Sequence, residues 1–266
     1  MNLVPTAPLG RLAAIGAGLL DLLLPRYCVA CEGALGANET GVVCGQCWAS
    51  LVRLPHPQCV RCGHPKRLSG PPRVVELAVQ GCRWCANLPP GVRAARSVCW
   101  MPGGGAAAVV QALKYDGWSA AADGMAERMA RLTWPPDVLA ERTAVVPVPL
   151  SATRLRERGY NQSALLARAL ARRWALPVWE DVLQRTRGTQ SQTRLTPADR
   201  LRNVAGAFLA CAGSRERLRG AHVMLVDDVV TTAATLNACA AALVDGGARI
   251  ISYVTFARAP AAGDLR

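Results

Sequence analysis

Beyond residue 97 the chain alternates apolar, often β-branched runs with segments of helical periodicity. RSVCWMPGG reads as a strand and AAAVVQALKYDGW as a helix. A further helix is predicted over residues 119–132, stopped by Pro135 and Pro136. TAVVPVPL (143–150) is an apolar, valine-rich run, the pattern of a strand buried on both faces. SATRLRERGYNQSALLARALARRWALP predicts a long helix interrupted near Gly159. The polar, basic block 182–208 holds one local signal: Thr196-Pro197-Ala198-Asp199 has the cap, first-position proline and third-position acid of a helix start. A strand at 221–226, a helix at 235–245 ended by Gly246 and Gly247, and a strand at 249–257 complete the pattern. Strands alternating with helices imply an α/β domain, a mainly parallel sheet with helices on both faces.

The first hundred residues follow another rule. LAAIGAGLLDLLLP carries Asp21 and ends in Pro25, too short an apolar stretch to span a bilayer. Leu19, Leu20, Leu22, Leu23 and Leu24 fit an amphipathic helix over residues 1–24 that packs on the body of the protein. No small-residue cleavage site precedes Cys28, so a cytoplasmic location is expected.

Eight of the eleven cysteines then fall in four CxxC pairs: Cys28/Cys31, Cys44/Cys47, Cys59/Cys62 and Cys82/Cys85. A CxxC turn lets two thiolates grip one tetrahedral zinc, so four pairs suit two four-cysteine sites. Disulfides would need an oxidising compartment, and the same ligands could hold an iron–sulfur cluster; zinc is the favoured assignment. Sequential ribbons would use Cys28, Cys31, Cys44 and Cys47 for one ion and Cys59, Cys62, Cys82 and Cys85 for the other. A cross-braced pairing has equally acceptable spacing. GANETG, RLSGPP and NLPPG are loop-rich, so the stability of the 25–96 module is expected to come largely from metal. His56 and His64 are bystanders beside so many thiols, and Cys99, Cys211 and Cys239 are expected to be buried.

The formal charge of +13 is concentrated in two blocks. Residues 53–96 hold eight Lys/Arg against one acid, and 151–219 hold fourteen Arg against five acids. Such blocks suit a polyanion, phosphate esters or nucleic acid.

The candidate chemistry lies in VMLVDDVVTTAATL (223–236), where an apolar strand runs into Asp227 and Asp228. Ligands of parallel sheets bind at the carboxyl ends of strands. The following helix N-terminus attracts anions, and Thr231, Thr232 and Thr235 add hydroxyl donors. Two hydroxyl-accepting carboxylates followed by a phosphate cradle fit a ribose 5-phosphate. No Gly-Lys-Ser or Gly-Lys-Thr follows, so this is not a P-loop.

That stretch resembles the signature with which type I phosphoribosyltransferases hold phosphoribosyl pyrophosphate (PRPP). KYDGW (114–118), VVPVPLSATRLRERGYNQS (145–163) and TQSQTRLTPADRLRNVAGAF (189–208) are similar to the ComF family, associated with competence and DNA uptake. The resemblance covers nearly all of residues 20–258. It implies a type I phosphoribosyltransferase fold over residues 97–260, preceded by a double zinc ribbon over 25–96. It also implies that Asp227 and Asp228 bind ribose, with Thr231, Thr232, Ala233, Ala234 and Thr235 forming the phosphate loop. Pro147, Val148 and Pro149 would meet pyrophosphate, and Arg158, Gly159, Tyr160, Asn161 and Gln162 match an RGYNQ-like segment. Residues 185–203 match a loop that closes over PRPP, offering Arg185, Gln192, Arg194 and Arg202. One position departs: the loop reads TTAAT where the family usually has TTGAT, so Ala233 replaces a glycine free to take positive φ.

Two functions follow from the resemblance. The first is phosphoribosyl transfer with release of pyrophosphate, magnesium accompanying PRPP and the acceptor unidentified, with Asp227, Asp228 and Arg194 at the reaction centre. The second is a non-catalytic competence protein handling single-stranded DNA and meeting competence-machinery partners, with Trp48, Trp84, Trp100 and Trp118 available to stack on bases.

Overall fold

The computed structural model describes residues 26–36, 38–66, 82–101, 103–115, 117–186, 206–260 and 264. The expected helix over 1–24, the helix start at Thr196, and Gln192, Arg194 and Arg202 all lie outside the described residues.

Among the described residues four parallel strands form the main sheet, in the order β1-β6-β5-β2: β1 Val92–Trp100, β2 Arg142–Pro147, β5 His222–Val230 and β6 Ile250–Arg258. Neighbouring residues of each strand point to opposite faces. Val145, Met224, Val226, Val254 and Phe256 enter one core; Val146, Val223, Leu225, Ile251 and Tyr253 enter the other. The first core is covered by α2 (Ala106–Tyr115), α3 (Ala121–Ala130) and α6 (Gln162–Trp174). The second is covered by α8 (Ala234–Asp245), by α7 (Arg215–Leu218) and by a small antiparallel pair, β3 (Leu183–Arg185) with β4 (Phe208–Ala210). Two further short helices, α4 (Pro136–Glu141) and α5 (Ala152–Arg158), flank β2. Gly159, at φ 78°, ends α5 in the left-handed conformation that glycine takes without a Cβ clash.

Several boundaries differ from the sequence expectation. β1 begins at Val92, so a division at residue 96 falls inside a strand. The 182–208 block opens and closes with β3 and β4, which its basic composition concealed. Most consequentially, β5 continues to Val230 instead of ending at 226, because β6 pairs with it throughout: Asp227 opposite Thr255, Val230 opposite Arg258. The aspartates therefore sit within a strand. Cys99 and Cys239 are buried as expected, whereas Cys211 is half-buried.

The cysteine region straddles the sheet. Cys28, Val43 and Leu51 join the core under α2 and α3, while Cys59, Cys62, Trp84, Cys85 and Leu88 join the core under α8. The region packs into both cores, in addition to anything metal contributes. Among the described residues no helix is long and apolar enough to cross a membrane.

Candidate functional site

β2 ends at Pro147, opposite Val226. β5 runs four residues further, so its outer edge from Asp227 onward is left unpaired by β2 and borders a cleft of about 360 Å³. Asp227 and Asp228 line it from the strand, and Ala233, Ala234, Thr235 and Leu236 from the start of α8. Two side chains, buried Ser163 and half-buried Lys114, tie the acids down. Ser163 Oγ donates to Asp227 Oδ1 at 2.8 Å, and Lys114, from the last turn of α2, forms an ion pair with Asp228. Asp227 Oδ1 also accepts the Asp228 backbone N–H at 3.0 Å.

The pair is electrostatically unequal. Burial, then the neighbouring Asp228 charge, pushes the Asp227 carboxyl up to about 8. Burial acts on Asp228 in the same direction, but Lys114 outweighs it and holds that carboxyl below its ordinary value. Lys114 itself is raised: burial opposes its charge, and Asp228 and Asp227 more than restore it. The charge of the pair is thus centred on Asp228, beside the Lys114 ammonium, and Asp227 is the more readily protonated member.

Opposite the acids, α8 is preceded by Ala233 at its N-cap, which has φ 62° and ψ 6° and provides no side-chain cap. The first turn of α8 faces the cleft with its dipole's positive end. Thr232 Oγ1 accepts the Ala234 N–H at 3.4 Å instead of lining the cleft. Thr231 and Thr235 line it.

The remaining expected residues divide into those at the cleft and those behind it. Val148, Pro149, Arg158, Gln162 and Arg185 line it, with Arg158 Nη1 2.5 Å from Gln162 Oε1 and its guanidinium 4.9 Å from the Tyr115 ring centre. Pro147, Tyr160 and Asn161 do not. The Tyr160 hydroxyl donates to the Leu113 carbonyl at 2.5 Å, next to Lys114. Asn161 caps α6 through Ser163 N–H and donates to the Val148 carbonyl at 3.0 Å. These two brace the walls. Lys114 and Arg154, which line the cleft, and Ser163, which holds Asp227, are parts of the candidate site that the motif reading missed. Lys114 lay in plain view in KYDGW, but nothing in one sequence marks a lysine at a helix end as the partner of a distant aspartate.

The cysteines converge in two quartets, each with its four Sγ atoms within 4.8 Å of one another: Cys28, Cys31, Cys44, Cys47 and Cys59, Cys62, Cys82, Cys85. The pairing is sequential, not cross-braced. Tetrahedral zinc–thiolate bonds of about 2.3 Å place sulfurs roughly 3.8 Å apart. Cys31 and Cys44 are 3.8 Å apart, Cys82 and Cys85 3.6 Å and Cys59 and Cys85 3.4 Å, while Cys62 and Cys82, at 3.0 Å, are closer than a bound ion would leave them. Backbone N–H groups of Ala30 and Cys44 point at Cys28 Sγ at 3.4 and 3.3 Å, as a thiolate ligand needs. The quartets thus fit zinc. His64 instead pairs with Asp264 and stacks on Trp84.

Sequence families agree with both halves. Residues 19–99 match a double zinc ribbon domain, and residues 160–265 match a phosphoribosyl transferase domain. The chain is 31% identical to the DNA utilization protein YhgH of Salmonella typhi over 239 residues, 86% of this chain and 96% of that protein. It belongs to the ComF family. Other relatives within reach of the ComF name are Competence protein F of Haemophilus influenzae (38% over 116 residues, 44% of this chain and half of that protein) and Competence protein ComFC of Bacillus subtilis (36% over 115 residues, 43% and 44%). Among solved structures, the glutamine PRPP amidotransferase of Bacillus subtilis, complexed with ADP and GMP, is 19% identical with a TM-score of 0.35, covering 51% of this chain and 26% of that one. This ComF chain is an α/β protein with a type I phosphoribosyltransferase fold behind a double zinc ribbon.

Proposed function

We propose that the cleft binds PRPP with magnesium and transfers its phosphoribosyl group to an unidentified acceptor, releasing pyrophosphate. One observation carries this: an acidic pair clamped by Lys114 and Ser163 faces an uncapped helix N-terminus across a single cleft. The acids suit the ribose hydroxyls, and the first turn of α8 with Thr231 and Thr235 suits the 5-phosphate. Arg154, Arg158 and Arg185 line the same cleft and suit the pyrophosphate. Magnesium would neutralise pyrophosphate oxygens as they depart. Asp228 is the ionised carboxylate of the pair and Asp227 the one that must shed a proton to support a cation. Charge clamping, not a covalent side chain, then stabilises the oxocarbenium-like transition state. Arg194, Gln192 and Arg202 retain their proposed roles in closure. Reduced zinc thiolates suit the cytoplasm.

A second reading, handling of single-stranded DNA in competence, is favoured by the relatives' names and by Trp118, exposed beside Tyr115 at the end of α2. Trp84 and Trp100 are buried and unavailable to bases, and Trp48 is covered on one face by Arg128. Calorimetric titration with PRPP and magnesium, beside titration with an oligonucleotide, separates the two. Saturable PRPP binding with pyrophosphate release on adding acceptor mixtures supports the transferase. Oligonucleotide binding without PRPP binding contradicts it.

A further inference from the structure

Arg258, the last residue of β6, is the largest fully buried side chain among the described residues. Its charge is permanent under ordinary conditions, so burial calls for a nearby anion. Among the described residues no carboxylate pairs with it. Nη2 donates to the Cys62 carbonyl at 2.6 Å, the guanidinium lies 4.4 Å from the Trp84 ring centre, and Nε and Nη1 have no hydrogen-bond partner among the described residues. Cys62 belongs to the second cysteine quartet and Trp84 lies between Cys82 and Cys85 in the chain, so the guanidinium is held against the site whose thiolates carry the negative charge.

Those thiolates have the complementary problem. Four on one zinc ion leave two negative charges in excess. At the first quartet Cys31 is exposed, and water can answer that charge. At the second, Cys59, Cys62 and Cys85 are buried and Cys82 is half-buried, so water reaches less of the site and more of the compensation falls to the protein. Arg96, also buried, contributes from the other side: its Nη2 holds the Val60 carbonyl at 2.8 Å, inside the CxxC turn. Gly63 fixes the contact further, since a Cβ there would lie 2.4 Å from the Ala95 carbonyl oxygen.

We propose that Arg258 is the built-in counter-cation of the second zinc centre, which together with Arg96 balances the tetrathiolate charge and locks that centre onto the end of β6. Its role is positioning: it touches neither substrate nor metal. The lock reaches the cleft through the main chain, because the Arg258 carbonyl accepts the Met101 N–H at 2.7 Å and Ala259 N–H donates to Val230 at 2.8 Å. Met101 and Val230 both line the cleft. The proposal stands whether or not that cleft takes PRPP.

The test is zinc release from the full-length holoprotein under a chromogenic chelator, with thermal melting recorded alongside. The wild type should release zinc in two phases, the exposed first centre before the second. Arg258→Met should speed the slow phase roughly tenfold or more and leave the fast phase unchanged. Arg258→Lys, which keeps the charge, should fold and retain a slow phase near that of the wild type. Should Arg258→Met fail to fold while Arg258→Lys folds and keeps both ions, the need for the charge is supported. A lower melting temperature in Arg258→Met with an unchanged slow phase would make the residue merely structural and overturn the proposal. So would an Arg258→Lys protein that misfolds or loses the second ion as fast as Arg258→Met.

Discussion

Ala233 sits at φ 62° where the proposed phosphate loop enters α8, and it is buried there, so its methyl group must be accommodated in a left-handed turn. For an alanine that conformation costs about 1 kcal/mol. Ala233→Gly is therefore expected to raise stability by up to about 1 kcal/mol and to tighten PRPP by at most about tenfold. Ala175, at φ 53° beyond the end of α6, is a control outside the cleft: Ala175→Gly should stabilise similarly without changing affinity. Equal or weaker PRPP binding by Ala233→Gly in side-by-side titrations would show that the loop binds in its present shape without strain to release. Asp227 makes a different demand. An acid whose folded pKa exceeds its unfolded value binds its proton more tightly when folded, so its contribution to stability falls as pH rises from about 4 toward its folded value of about 8. Asp227→Asn should remove this loss, so its advantage over the wild type in chemical denaturation should grow from pH 5 to pH 8. An advantage that is constant or shrinking over that range would contradict the assigned environment.

At the scale of elements, the sheet and its helices follow from patterns that local sequence carries. Valine runs marked β2 and β5, Pro135 and Pro136 sit where the chain turns from α3 into α4, and Gly159 broke the α5–α6 stretch as its spacing implied. The acidic pair and threonine loop were equally legible, because Asp227-Asp228 at the end of an apolar run has no packing explanation. The length of β5 was not legible: Asp227 and Asp228 disfavour a strand locally, and only pairing with β6 keeps the chain extended through them. Nor was the clamp. Lys114 and Ser163 meet the aspartates across more than sixty residues of chain, a contact no periodicity encodes. The short β3 and β4 were hidden for a related reason, since a three-residue strand carries too little alternation to stand out.

For the whole molecule, the two cysteine quartets bracket the sheet, one beside each core, and β1 is the strand they share. Arg61 holds the second ribbon to β1, its side chain donating to the Val92 carbonyl and its own carbonyl accepting the Ala95 N–H, and it also donates to the Leu88 and Pro89 carbonyls just before the strand, while the Val52 carbonyl accepts the Trp100 N–H for the first. Purified protein should carry about two zinc ions per chain, one per quartet. Cys28→Ser or Cys82→Ser should each lose about one ion and destabilise the fold, the latter more, because its quartet is the more buried. Elemental analysis with thermal melting checks this, and an iron chromophore or a metal-free stable protein would contradict it.

On the reading proposed above, the Asp227–Asp228 pair is a ligand site and not a structural feature of β5. Calorimetric titration of PRPP with magnesium into the wild type and into the Asp227→Asn/Asp228→Asn protein tests it most directly, because the amides keep the shape of the site and remove its charge. The expected result is saturable binding by the wild type and no measurable binding by the folded double variant. PRPP binding of wild-type strength in the variant would contradict the account.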